Sequence, residues 1–240
     1  MRKHNLAGSL QTVLAILFGF LVTATIPPSR QTNAAPQVDL VLFLALDVSA
    51  SVDPGEYKLM TEGLAKALES DVVGKAIRNG KTGAIAIAVM QWSGFQEQEV
   101  KIKWTRVSSR SELASLAGLV RLMPRRYKGG ATDIGGAINF SRKQVQKAPY
   151  RANRKTIDIA GDGTNNVNDN PSKERDITIK AGITINGLAV IGQAVPLVKY
   201  YTYFIIGGPH SFVEKARDYD SFGTSISRKL LREIGGQLLF

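Results

Sequence analysis

The chain has 240 residues, 44% of them apolar and 21% charged, which suits one folded domain and excludes a disordered polymer. It contains no cysteine, so disulfides, thiolate metal sites and a lipid-bearing cysteine are all excluded. The formal charge of +11 comes from scattered lysines and arginines, with only short clusters such as Arg125-Arg126-Tyr127-Lys128, a solvated basic surface rather than a nucleic-acid footprint.

At the amino end, Arg2, Lys3 and His4 precede an apolar stretch from Val13 to Ile26, and Thr32-Asn33-Ala34-Ala35-Pro36 supplies small residues. This is the pattern of a secretory signal peptide over residues 1–35, cleaved after Ala34 or Ala35. An uncleaved membrane anchor is the alternative, although the run is short for a bilayer span. The expectation is a single domain over residues 36–240, periplasmic or secreted, with no transmembrane span after cleavage. Its oligomeric state is not written in the sequence.

Residues 38–46 are almost continuously apolar, as expected of a strand covered on both faces of a parallel sheet. Asp53-Pro54-Gly55-Glu56 then reads as a helix start, with Asp53 as N-cap and Glu56 closing a capping box. Tyr57, Met60, Leu64 and Leu68 mark that helix's buried face. Residues 83–91 form a second buried strand, and residues 99–104 alternate like a half-exposed edge strand. Ser109 and Glu112 form another capping box before a helix running to about Met123.

Residues 132–147 read as a helix, 156–160 as a short strand, and Asn170-Pro171 as the start of a helix that ends before Gly182. A strand over 183–191 follows, then a helix over 197–206, a last strand over 211–216 and a helix over 219–234. The alternation predicts an α/β fold: a doubly wound, mostly parallel six-stranded sheet with one antiparallel edge strand and helices on both faces. Asp158 falls inside a buried strand and requires a partner that the sequence does not identify.

In such sheets ligands sit beyond the carboxyl ends of the strands. Three polar loops reach that edge: Asp47-Val48-Ser49-Ala50-Ser51, Gly129-Gly130-Ala131-Thr132-Asp133 and Gly161-Asp162-Gly163-Thr164-Asn165-Asn166. Together they offer carboxylates and hydroxyls without nitrogen or sulfur, a donor set for a hard cation such as Mg2+. Ordinary turn chemistry would also place Ser and Asp in such loops. Asn165, Asn166 and Asn168 could add ligands or shape their loop through bonds to backbone. Asp133 either supports the ligands from behind or simply sits in a helix's first turn.

These residues carry a resemblance. Asp47, Ser49 and Ser51 match the DxSxS signature of the von Willebrand factor A domain, Thr132 stands where that family has its second-loop threonine, and Asp162 matches its third-loop aspartate. The set resembles a metal-ion-dependent adhesion site, and the order of elements agrees over about residues 38–235. The chain is similar to an uncharacterised, exported bacterial subgroup of such domains in which the DGxNN loop recurs; Ala50 stands where glycine is common. By that resemblance Ser49, Ser51 and Thr132 bind the ion directly or through water, while Asp47 and Asp162 bind it through water or hold those ligands. The implied ion is Mg2+ or Mn2+, ahead of Ca2+.

Enzyme readings fare poorly. A triad hydrolase needs a base, and the only histidines are His4, inside the signal segment, and His210, in a turn. Ser93 lacks a nucleophile elbow, and the glycines at 129–136 lack the lysine of a phosphate loop. The resemblance implies a non-enzymatic module that binds a protein ligand presenting an Asp or Glu carboxylate, with no nucleic acid. The alternatives are an envelope assembly component whose metal only stabilises the loops and, behind it, a metal-dependent hydrolase.

Overall fold

A computed structural model describes residues 34–167, 170–192 and 196–235. Residues 1–33 of the segment read as a signal peptide, and Asn168, lie outside the described residues. Six strands form one sheet: β1 (Leu40–Asp47), β2 (Ile85–Trp92), β3 (Gln98–Val107), β4 (Arg154–Gly161), β5 (Thr184–Val190) and β6 (Val213–Ala216), in the order β3-β2-β1-β4-β5-β6. Only the edge pair β2/β3 is antiparallel. The predicted fold class is the one observed.

β1 is central, and all eight of its residues are buried. Successive side chains of a strand point to opposite faces, which is why its apolar run does not alternate. Leu40, Leu42, Leu44 and Leu46 face one core, and Val41, Phe43 and Ala45 face the other. The first core is closed by α1 (Pro54–Glu69), α2 (Asp71–Arg78), α3 (Arg110–Arg121) and, from the carboxyl end of the chain, a helix over Phe222–Gly235. The second is closed by α4 (Ile134–Gln146) and by α6 (Leu197–Tyr200) with the turn after it; α5 (Ser172–Lys180) packs on α4. The Phe222–Gly235 helix is α7.

The local signals behave as the sequence predicts at Asp53/Glu56 and Ser109/Glu112, where both capping boxes are complete. Two features depart from the expectation. Ser70 ends α1 and starts α2, donating its hydroxyl to Ala67 O and accepting from Val73 N, so an unpredicted short helix follows. The segment expected as one helix over 197–206 is a single α-turn followed by a π-helical turn, Tyr201–Ile205. Asp158 has its partner: the buried Lys229 of α7 places Nζ 2.8 Å from Asp158 Oδ1 and 2.6 Å from Glu233 Oε1.

The strand order reverses between β1 and β4. Leu46 pairs with Ala160, which sets the loops after these two strands side by side. This is the topological switch point, the place where open α/β sheets form their binding crevice. No helix among the described residues is long and apolar enough to cross a membrane.

Candidate metal centre

Asp47 ends β1 and is fully buried; Ser49 and Thr132 are buried beside it, whereas Ser51 is exposed. The five predicted residues meet at one point. Asp47 Oδ1 accepts from Ser49 N at 2.7 Å. Thr132 Oγ1 lies 3.4 Å from Ser49 Oγ, Ser49 Oγ lies 3.2 Å from Ser51 Oγ, and Ser51 Oγ donates to Asp162 Oδ1 at 2.6 Å. Three loops thus contribute a chain of four neighbouring oxygens above a buried carboxylate.

The residues fit a hard cation. Neighbouring ligands of an octahedral Mg2+ at about 2.1 Å stand about 3.0 Å apart, the range in which these four oxygens already lie. The same atoms can exchange bonds to one another for bonds to an ion with small movements. The Asp47 carboxyl adds a second argument: burial pushes it up to about 7, against the pull of its hydrogen bonds from Ser49, and the charge of Asp162 adds to the rise. A carboxyl so displaced gains most from a nearby cation. The oxygen-only set is the kind that suits Mg2+ and Mn2+. Among the described residues no group of three or more His, Cys, Asp or Glu side chains forms a rival metal site.

The loops are fastened by groups other than these five. Thr132 N donates to Asn166 Oδ1 at 2.7 Å, and Asn166 N donates back to Thr132 O at 3.0 Å. Ile134 N donates to Asn165 Oδ1 at 2.8 Å. The two asparagines therefore staple the third loop to the second and shape the backbone. Asp133 is the N-cap of α4, its side chain accepting from Gly136 N at 2.8 Å.

Ala50 N donates to Gly130 O, and the Arg125 guanidinium donates to Val48 O and Ser49 O at 3.1 and 3.0 Å. Gly130 has φ of +146°, and a Cβ there would stand 2.7 Å from Ser93 Oγ, so this loop requires glycine. Ser93, unsuited to nucleophilic work on sequence grounds, instead donates to Ala131 O at 3.2 Å and holds the second loop from below. His210 is remote: its neighbour Pro209 accepts from Thr184 Oγ1 at the opposite end of β5.

Sequence reasoning left Arg125 within an ordinary basic cluster and did not single out Tyr200, Tyr201 or Tyr219. Tyr200 accepts from Asn165 N at 3.2 Å. Tyr201 and Tyr219 are buried close to the two aspartates; burial first, and then the charges of Asp47 and Asp162, hold both phenols above their usual range. A Tyr-Tyr pair in a segment whose period is broken by a π-turn gives no helical face to read. The basic cluster carries no sign that one member folds back onto β1.

A family model described as a protein of unknown function (DUF1194) matches residues 37–238. Comparison with curated proteins gives no match. Solved structures share the fold. Proximal thread matrix protein 1 (PTMP1) from the mussel byssus, in a form with a zinc-occupied MIDAS motif, superposes with a TM-score of 0.64 at 18% identity, over 83% of this chain and 49% of that one. A von Willebrand factor type A protein from Catenulispora acidiphila gives 0.58 at 16% identity, over 83% and 43%. The pilus adhesin SpaC from Lactobacillus rhamnosus GG gives 0.58 at 13%, over 83% and 31%. The chain therefore spans about half or less of these proteins, and at such identities the likeness is one of fold: the von Willebrand factor A architecture.

Proposed function

The chain belongs to the DUF1194 family of proteins of unknown function, and from that premise we propose that it is an exported, non-enzymatic protein-binding module that uses a divalent cation to capture an acidic residue of its partner. The observation that carries this reading is the meeting of Asp47, Ser49, Ser51, Thr132 and Asp162 at the switch point, with a buried floor and an exposed rim. When bound, Mg2+ or Mn2+ would supply a Lewis-acidic docking point for a carboxylate oxygen. With Ser49, Ser51 and Thr132 as its direct protein ligands and the two aspartates behind water or behind those hydroxyls, the ion would have only neutral oxygens in contact with it, which favours an outside Asp or Glu.

The chain's own residues do the rest. Ser49, Ser51 and Thr132 present oxygens, Asp162 orients Ser51, and Asp47 fixes the first loop through Ser49 N. The reading in which metal serves only to hold the loops is weaker, because Asn165, Asn166, Arg125 and Ser93 already fasten them. A hydrolase reading finds no histidine base at the cluster, because His210, the one histidine among the described residues, lies by the opposite end of β5. The zinc of the mussel protein's MIDAS motif and the adhesin role of SpaC are properties of those proteins; they agree with this reading and do not extend to this chain's ion or partner.

Panning a displayed random-peptide library against the protein in Mg2+, with elution by EDTA, tests the reading. The expected ligands share an Asp or Glu whose amidation abolishes binding, and Asp47→Ala retains none of them. Ligands that bind equally well in EDTA or to Asp47→Ala would overturn it.

A further inference from the structure

Asp47 uses one carboxylate oxygen to hold Ser49 N; the other, Oδ2, is buried and has no hydrogen-bond partner among the described residues. The Tyr201 hydroxyl is in the same condition. The two atoms are neighbours: each lies 2.9 Å from the point that a Cβ on residue 161 would occupy. No hydrogen bond joins the two as they stand, and two polar atoms that close to one point are within reach of each other through one bridging water.

We propose that Tyr201 is a positioning residue of the ion site, its phenol serving as the donor to Asp47 Oδ2 through such a water. Two strand glycines make room for it. A Cβ at Gly187 on β5 would stand 2.6 Å from Tyr201 Cδ1, and one at Gly161 on β4 would fill the gap between the hydroxyl and the carboxylate. Glycine weakens a strand interior and marks places where another group approaches closely; here both glycines follow the course of one ring. Tyr201 also opens the π-helical turn, an irregularity that recurs at functional sites. The preceding residue acts on the same site, since Tyr200 holds the third loop at Asn165 N. One short segment thus braces the third loop with one tyrosine and backs Asp47 with the next.

This inference rests on the reading of Asp47 as part of an ion site, but its first test does not require the ion. Melting temperatures in EDTA are compared for the wild type, Tyr201→Phe, Asp47→Ala and the double variant. Loss of a donor to Asp47 lowers the wild-type melting temperature by about 2–4 °C, and the same change has no such effect in the Asp47→Ala background. A Tyr201→Phe protein that melts at or above the wild-type temperature, or one that loses equally in both backgrounds, overturns the proposal; the hydroxyl would then be an unpaired group or serve another partner.

Mn2+ titration of Tyr201→Phe supplies a second readout, with affinity expected to fall roughly tenfold. An unchanged affinity in a wild type that binds Mn2+ also counts against the proposal. A wild type that binds no Mn2+ even beside a carboxylate ligand counts instead against the ion site, and the melting cycle still decides the contact between Tyr201 and Asp47. Should Asp47→Ala fail to fold, the direction of the shift in Tyr201→Phe alone decides it.

Discussion

Ser51 Oγ donates to Asp162 Oδ1 at 2.6 Å, although 111 residues separate them in sequence. The bond joins the loop after β1 to the loop after β4 across the switch point, on the exposed side of the site. Because Ser51 is exposed, Ser51→Ala should leave the melting temperature within a degree or two while weakening Mg2+ or Mn2+ binding by roughly tenfold or more. Calorimetric titration beside a thermal melt checks both halves. Unchanged affinity would remove Ser51 from the ligand set.

The Asp47 carboxyl rises from 3.8 to about 7 in the fold because it is buried. Its folded value is the higher one, so between about pH 4 and pH 7 the native state binds more protons than the unfolded chain. Metal-free protein is therefore expected to lose stability as pH rises through that window, the reverse of a salt-bridged carboxylate. Burial also raises Asp158, opposed by Lys229, and this adds a slope of the same sign. Metal affinity should run the other way, increasing toward pH 7 as the carboxylate forms. Melts in EDTA at several pH values, with and without Asp47→Asn, separate the two aspartates; a metal-free melting temperature that climbs with pH would contradict the assigned environments.

Lys229 is fully buried between Asp158 and Glu233, and Asn186 Nδ2 donates to Glu233 Oε1 at 2.9 Å. Lys229→Met keeps the bulk and strands two carboxylates in the core. Breaking such a network on one side costs about 3–5 kcal/mol. Urea unfolding should show a loss of that order, with part of it recovered when Asp158→Asn is added.

Helices α1 and α7 cross at Gly63 and Gly223, where a Cβ on residue 63 would stand 2.8 Å from Gly223 Cα. That neighbour is backbone and cannot rotate aside. Gly63→Ala should therefore force the helices apart and cost about 1–3 kcal/mol, despite alanine's better helix propensity. Chemical denaturation measures it; a stabilised variant would show that the crossing tolerates a methyl group.

Much of this molecule was legible from residue patterns. The continuous run at 38–46 gave the central strand because burial on both faces removes alternation, and the two capping boxes set helix starts to the residue. The five oxygen-bearing positions were visible because each follows a strand or opens a helix at one edge of the sheet. What stayed hidden depends on contacts between distant segments. Lys229 as the partner of Asp158, Arg125 bonded to the carbonyls of Val48 and Ser49, and the glycine pair at the α1/α7 crossing have no local signature. The π-turn at Tyr201 is hidden for a related reason: its irregular period is fixed by what the ring packs against.

The most direct test is calorimetric titration of Mg2+ and of Mn2+ into the protein and into Asp47→Ala, each alone and again with a millimolar acidic peptide. The account predicts saturable binding to the wild type, strengthened by the peptide, and none to the variant under either condition. A wild type that takes up neither ion, with or without the carboxylate, would contradict a metal centre at the β1/β4 switch point.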